Sequence, residues 1–197
     1  MNLNEIENKQ DADTPAAESS GQRKGVRWEH LIMFVVAILV LILDYASKEI
    51  VRNNLPLYTY WAPFPGLENI FRITHTSNTG VAFGMFQFAS ANLVFSVFVS
   101  IVSIGIIYFN HQLEPGHKLL RVALGLQLGG ALGNLIDRFT QGAVTDFLDF
   151  GPWPVFNIAD AAVVAGVILM GYVLLQDERK ASTASNQVES PQSLSDN

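Results

Sequence analysis

The chain has 197 residues, a formal charge of −6, no cysteine, and 49% apolar against 15% charged side chains. Its length fits one domain, its mean hydropathy of +0.26 is too high for an ordinary soluble one, and the missing cysteine excludes disulfides, thiolate metal sites and a cysteine nucleophile. Much of the net charge sits at the two ends, so it points to no nucleic-acid partner.

Residues 1–25 and 179–197 are polar over most of their length and are expected to be disordered cytoplasmic tails around a membrane domain at 26–178. The first apolar segment, Trp28 to Ala46, follows Arg23, Lys24 and Arg27 and so looks like a signal peptide. The "DYASKE" after it offers no convincing small-x-small cleavage site, and a retained helix is the better reading. The connection from Glu49 to Ser90 is long for a turn. In it, "PLYTYWAPFPGLENIF" sets Tyr58, Tyr60, Trp61 and Phe64 among prolines, a composition suited to a membrane–water interface or a small packed loop domain. "NIFRITHTSNTGVAFG" alternates, is rich in β-branched residues and carries an Asn-Thr-Gly turn signal, which predicts strands or a hairpin. Three further apolar segments follow: Ala91–Phe109, Leu119–Ile136 and about Val155–Gln176. Each approaches the roughly 20 residues that span hydrocarbon. No Asp, Glu, Lys or Arg occurs between Arg72 and Glu114, and Asp160 alone interrupts the stretch from Phe150 to Gln176. The third segment carries Gly125, Gly129 and Gly133, a small-residue ridge that admits a neighbouring helix.

Basic residues near the segment ends number seven on one side (Arg23, Lys24, Arg27, Lys118, Arg121, Arg179, Lys180) and four on the other (Lys48, Arg52, Arg72, Arg138). The positive-inside rule then puts both termini in the cytoplasm. With that topology Asp44 and Lys48, Asn134, Asp137 and Arg138, and Asn157 and Asp160 all fall at outer helix ends, with Asp146 and Asp149 in the link before the fourth helix. The cytoplasmic ends carry only ordinary flanking charges.

An ionisable group beside so much apolar sequence is a functional-site hypothesis. Asp44 and Lys48, four apart on one helix face, suit a structural ion pair or a headgroup anchor. Asp137 with Arg138 suits an interfacial charge that holds the third helix to the outer loop, and Asp149 a solvated carboxylate or one paired with a nearby Arg. Asp146 and Asp160 flank a link whose Gly151, Pro152 and Pro154 can fold it back, so the two carboxylates can meet. Two facing carboxylates cannot easily both ionise; one keeps its proton while the other acts as a base toward water. An ion or proton pathway, or a scaffold without chemistry, are the alternatives. Of the four histidines (His30, His75, His111, His117) only His75 is on the outer side and no HExxH occurs, so a zinc peptidase lacks ligands. Ser47 and Lys48 are sequence neighbours and do not face each other on a helix. No metal or other cofactor is expected.

Five stretches, "DYASK" (44–48), "NTGVAFG" (78–84), "GGALGNLIDR" (129–138), "VTDF" (144–147) and "FNIAD" (156–160), resemble in order the motifs of lipoprotein signal peptidase, or signal peptidase II. The resemblance implies an all-α membrane protein with a small β element: four transmembrane helices and a periplasmic β-cradle-like connection. It implies an aspartyl endopeptidase of the bacterial inner membrane that removes signal peptides from lipidated prolipoproteins, cutting before the diacylglyceryl-modified cysteine. Asp146 and Asp160 fall on its catalytic positions. Asp44, Lys48, Asn78, Gly80, Asn134, Asp137, Arg138 and Asn157 fall on positions that shape the site and bind substrate. Membrane lipids and globomycin-type inhibitors are the other implied partners.

Overall fold

The computed structural model describes residues 26–79 and 91–188. Its first helix, α1 (Val26–Asn54), runs eight residues past Ala46. Those added turns hold because Glu49 accepts from Arg52 and Asn53, three and four residues on, and Pro56 then ends the run, since the residue before a proline is steered away from helix. Two strands follow, β1 (Tyr60–Trp61) and β2 (Arg72–Asn78). Helices α2 (Ala91–Gln112) and α3 (Lys118–Gln141) come next. Gly142 closes α3 with φ 75°, a left-handed cap that glycine adopts without strain. Strand β3 (Val144–Asp149) and helix α4 (Ile158–Val188) complete the chain.

All four helices are long and apolar enough to cross a membrane. The strands expected in the first connection are present as β1 and β2, which pair antiparallel, and the more distant β3 joins β2 on its other side, giving the order β1-β2-β3. Arg72 lies opposite Asp149 and Thr76 opposite Asp146, with an irregularity between Ile73 and Thr76. The turn expected at Asn78-Thr79-Gly80 runs into residues outside those described.

Helix α3 is the axle of the bundle, and its glycines explain why. A Cβ on Gly125 would lie 2.6 Å from the Met33 carbonyl oxygen and one on Gly129 2.6 Å from that of Ala37, both on α1. On the other flank, a Cβ on Gly130 would lie 2.3 Å from the Ala159 carbonyl oxygen of α4. The ridge is therefore a packing surface, as expected. Met33, Ala37, Leu124 and Leu128 fill the core with Ile106 of α2. Helix α2 packs chiefly on α3, and the α2 and α4 backbones make no close approach among the described residues.

Two expectations are corrected at the end of the bundle away from the sheet. Arg121 is not an ordinary flanking charge but fully buried. Its guanidinium donates to the carbonyls of Asn110 (2.9 Å), Leu113 (2.8 Å) and Glu114 (3.3 Å) and to Asn110 Oδ1 at 2.7 Å. It thus closes the C-terminus of α2, whose last carbonyls have no partner within the helix. His30 Nδ1 lies 2.9 Å from Arg121 Nη1 and 3.0 Å from the Asn110 carbonyl oxygen, beside this cap. The second correction concerns the C-terminal tail. Residues 179–188, expected to be disordered, continue α4; the Glu178-Arg179-Lys180-Ala181 run consists of good helix formers and adds an Asp177–Lys180 pair at 3.8 Å.

The packing yields a test. Gly129→Ala should lower the thermal stability of the detergent-solubilised protein by about 1–3 kcal/mol, the cost of overpacking a tight contact. Gly105→Ala, whose Cβ meets nothing within 4 Å, should be neutral or stabilising by up to about 1 kcal/mol. Equal melting shifts for the two variants would contradict the close α1–α3 approach.

Candidate active site

At the sheet end, α1, α3, β3 and α4 meet around charges that water does not reach. Lys48 is fully buried. Its Nζ lies 2.7 Å from Asp44 Oδ2 and 3.2 Å from Asp137 Oδ2, and donates to Asn134 Oδ1 at 3.0 Å. The spacing of Asp44 and Lys48 reads as an ion pair, and it is one; burial excludes the headgroup anchor. Asp44 has a second role that its sequence neighbourhood hides, accepting the Ala159 amide at the start of α4 at 2.9 Å. Asp137 accepts the Thr145 amide at 3.0 Å, which ties α3 to β3 as the interfacial-charge reading requires. Its cationic partners, however, are Lys48 and Arg52 (3.2 Å) rather than its neighbour Arg138.

Asn157 caps α4 and joins the two catalytic candidates. Its Oδ1 accepts the Asp160 amide at 2.9 Å while Asp160 Oδ2 accepts the Asn157 amide at 3.2 Å. That reciprocal exchange is a capping box, and it explains why α4 begins at Ile158 rather than near Val155. Asn157 Nδ2 also donates to Asp146 Oδ1 at 2.7 Å and to Asn134 Oδ1 at 3.1 Å. Asn134 Nδ2 donates to Asp160 Oδ1 at 2.7 Å, and Asn78 Nδ2 to Asp146 Oδ2 at 2.8 Å.

Asp146 is carried by β3, a strand not foreseen in what reads as a short link. The link folds back through Gly151 (φ 66°) to an isolated bridge between Leu148 and Phe156, which brings Asn157 and Asp160 alongside Asp146. Asp149 is paired with an arginine: Arg72 Nη2 lies 2.5 Å from its Oδ2, directly across the sheet from it. Asp149 thus stands apart from the group around Asn157. A cavity of about 350 Å³ adjoins that group, lined by Asn134, Arg138 and Asp160 with apolar residues of α2 and α4.

Comparison with known proteins agrees with this arrangement. Residues 36–176 match the family model described as "Signal peptidase (SPase) II". The chain belongs to the signal peptidase II family. It is 43% identical to a lipoprotein signal peptidase of Moorella thermoacetica over 141 residues, covering 72% of this chain and 91% of that protein. It is 36% identical to the lipoprotein signal peptidase of Bacillus subtilis over 154 residues, covering 76% and 97%. Two solved structures of a bacterial membrane enzyme, at 2.3 and 1.9 Å, superpose with TM-scores of 0.66 and 0.67 at 31% and 32% identity. Each covers 74% of this chain, and the chain covers 88% and 93% of them. This signal peptidase II homologue is thus a membrane protein of a peptidase family, with four long apolar helices and a small sheet.

The structure brings Asp44, Lys48, Asn78, Asn134, Asp137, Asp146, Asn157 and Asp160 into one hydrogen-bonded group. Arg138 borders it through the cavity, and Gly80 lies outside the described residues. Two members were not singled out from the sequence. Arg52 Nη1 bridges Asp137 Oδ1 (3.2 Å) and Thr145 Oγ1 (3.1 Å). Its place one helical turn after Lys48, as Lys48 is one turn after Asp44, was the available signal for it. Thr145 was hidden because its role depends on β3.

Burial has an electrostatic consequence for Asp146. Asp146 is 2% exposed, and its carboxyl is pushed up from 3.8 to about 6, first by burial. Hydrogen bonds from Asn78 and Asn157 pull the other way, and the nearby charge of Asp160 adds to the rise. A native carboxyl that binds its proton more tightly than the unfolded one stabilises the fold most at low pH. That contribution is complete below about 3.8 and is lost as pH rises through about 6. In the ligand-free protein, infrared difference spectroscopy should therefore show a carboxyl that disappears in Asp146→Asn and titrates near pH 6. Asn78→Ala should raise that midpoint further, because it removes a donor to the ionised form. A midpoint at the ordinary carboxylate value would contradict the buried setting.

Proposed function

We propose that this chain is an aspartyl endopeptidase that removes signal peptides from prolipoproteins, cutting before the diacylglyceryl-modified cysteine, with Asp146 and Asp160 as its catalytic pair. One observation carries the reading: a single buried residue, Asn157, holds both carboxylates, Asp146 through its side-chain amide and Asp160 through its backbone N–H, beside a cavity at one end of a four-helix membrane bundle.

In this mechanism Asp146 keeps the shared proton, consistent with its raised carboxyl, and Asp160, which lines the cavity, is the base. A water between them loses a proton to Asp160 and attacks the scissile carbonyl, while Asp146 protonates the carbonyl oxygen. Collapse of the tetrahedral intermediate returns the hydroxyl proton to Asp146 and breaks the C–N bond as Asp160 passes its proton to the leaving nitrogen. The amide groups of Asn78, Asn134 and Asn157 fix both carboxyls in place, so little reorganisation accompanies the proton transfers. The substrate is anchored by acyl chains, so its cleavage site waits at a leaflet boundary. A site at a helix end meets it there and still reaches water. We place that end at the outer leaflet of the bacterial inner membrane, with both termini cytoplasmic, on the distribution of basic residues. Globomycin-type inhibitors would occupy the same cavity. A transporter using these carboxylates would need a polar path to the other end, whereas Met33, Ala37, Leu124 and Leu128 fill the bundle between.

Asp146→Asn and Asp160→Asn should each abolish cleavage of a lipidated prolipoprotein by the purified enzyme in detergent, with folding retained. Asp149→Asn should keep substantial activity, because Asp149 serves the sheet through Arg72. Alanine at Asn157 removes hydrogen bonds worth about 1–3 kcal/mol and should slow turnover on the order of 5- to 150-fold. Wild-type rates in Asn157→Ala would withdraw its positioning role, and an essential Asp149 would replace Asp146 in the pair.

For topology, a single cysteine at Tyr58 should react with an impermeant thiol reagent in intact spheroplasts and one at Gly116 should not. The reverse pattern would put the site in the cytoplasm and exclude exported lipoproteins as substrates.

A further inference from the structure

Three cations border the candidate site, and two of them, Lys48 and Arg52, are paired with carboxylates. Among the described residues Arg138 has no carboxylate within ion-pair distance. Its Nη1 donates to the Asn134 carbonyl one turn back in its own helix at 3.2 Å. Its Nε is buried without an acceptor, and its guanidinium lies 5.9 Å from the Phe95 ring centre. It lines the same cavity as Asn134 and Asp160, whose remaining wall includes Phe98 and Val102 of α2 and Val164 of α4. Since the α2 and α4 backbones make no close approach among the described residues, and Phe98 and Val164 are exposed on the bundle surface, the cavity opens sideways toward lipid. It is an apolar cleft with a positive charge at its polar end.

Hydrolysis creates a matching group. Water adds to the peptide carbonyl, the C–N bond breaks, and the products at neutral pH are a carboxylate on the upstream fragment and an ammonium on the downstream one. The upstream fragment of a signal peptidase reaction is an apolar peptide with one new negative charge at its C-terminus. That charge forms beside two aspartates that would repel it, unless a cation offsets them. The geometry points to Arg138 as the group that holds the new C-terminal carboxylate of the released signal peptide, whose apolar body lies in the α2–α4 cleft against Phe98, Val102 and Val164. The inference rests on the proposed cleavage reaction for the identity of the peptide. A guanidinium fork matches a carboxylate far better than it matches the neutral amide of the uncut chain. The enzyme accordingly binds its released signal peptide more tightly through that end than it binds the same segment in the substrate.

The test compares two fluorescent peptides, one apolar signal sequence ending at the residue before the cleavage position as a free acid or as an amide. Their binding to the full-length purified protein in detergent is read by fluorescence anisotropy at neutral pH, so the result does not depend on turnover. The acid should bind about 10- to 100-fold more tightly, as one charge-assisted contact implies. Arg138→Gln should bring the ratio to about one, and Arg138→Lys should leave an intermediate ratio. Val164→Trp, which narrows the cleft, should weaken both peptides equally and preserve the ratio. Equal binding of acid and amide to the wild type, or an unchanged ratio in Arg138→Gln, overturns the inference. Failure of the same preparation to cut a lipidated prolipoprotein would instead overturn the proposed reaction, and the acid-to-amide ratio stays readable beside it.

Discussion

A lysine ammonium removed from water costs several kcal/mol unless partners surround it, and Lys48 is wholly removed. Two carboxylates and an amide oxygen meet its Nζ, and each then has a second bond to a different element. Asp44 holds the Ala159 amide in the first turn of α4, Asp137 the amide of Thr145 in β3, and Asn134 the carboxyl of Asp160. Three helices and a strand are thus registered against one another from a single charge. Arg52 repeats the arrangement a turn further along α1, bracing Asp137 and Thr145 from the side nearer the sheet. The polar cluster is closed rather than open-ended, which is the condition under which buried ionic groups are tolerated.

Within that scaffold the two catalytic candidates are held in different ways. Asp146 comes from a strand, is sealed from solvent and receives two amide donors. Asp160 comes from the first turn of a helix, belongs to that helix's own cap and faces a cavity. The proposed division between a proton holder and a water-facing base draws on secondary structure as much as on burial. Asn157 spans the division because its backbone and its amide serve different carboxyls.

Much of the bundle was legible in the sequence because hydrophobic length is a strong signal, and the Gly125, Gly129 and Gly133 spacing foretold a close helix contact, though not that α1 would make it. Helix ends were less legible. Helix α1 continues on local bonds of Glu49, and α4 continues past residue 178 on helix propensity where composition suggested a disordered tail. Strand β3 could not be seen, since six residues holding two aspartates have poor strand propensity and the strand exists through pairing with β2, far off in sequence. The polar residues of the site could be named, but not their bonds. Asp44 and Ala159 are 115 residues apart, and no periodicity connects them. Arg121 was misread for a related reason: its position beside a loop suggested a solvated charge, while its partners are the carbonyls of a neighbouring helix end.

Helix α2 is fastened differently from the other three. Arg121 and Asn110 secure one end and the Asn92 amide, bonded to the Gly142 carbonyl, the other; between them it leans on α3 and leaves its side toward α4 uncovered. The bundle thus consists of a closely packed frame, α1 with α3 and α4, and one more sparsely contacted wall bonded at its two ends. Under the proposed reaction, a peptide entering from the lipid would meet α2 before the frame that holds the carboxylates. Loading and aiming are mechanically separate, so a site of this build can accept many apolar sequences and still cut each at a single depth.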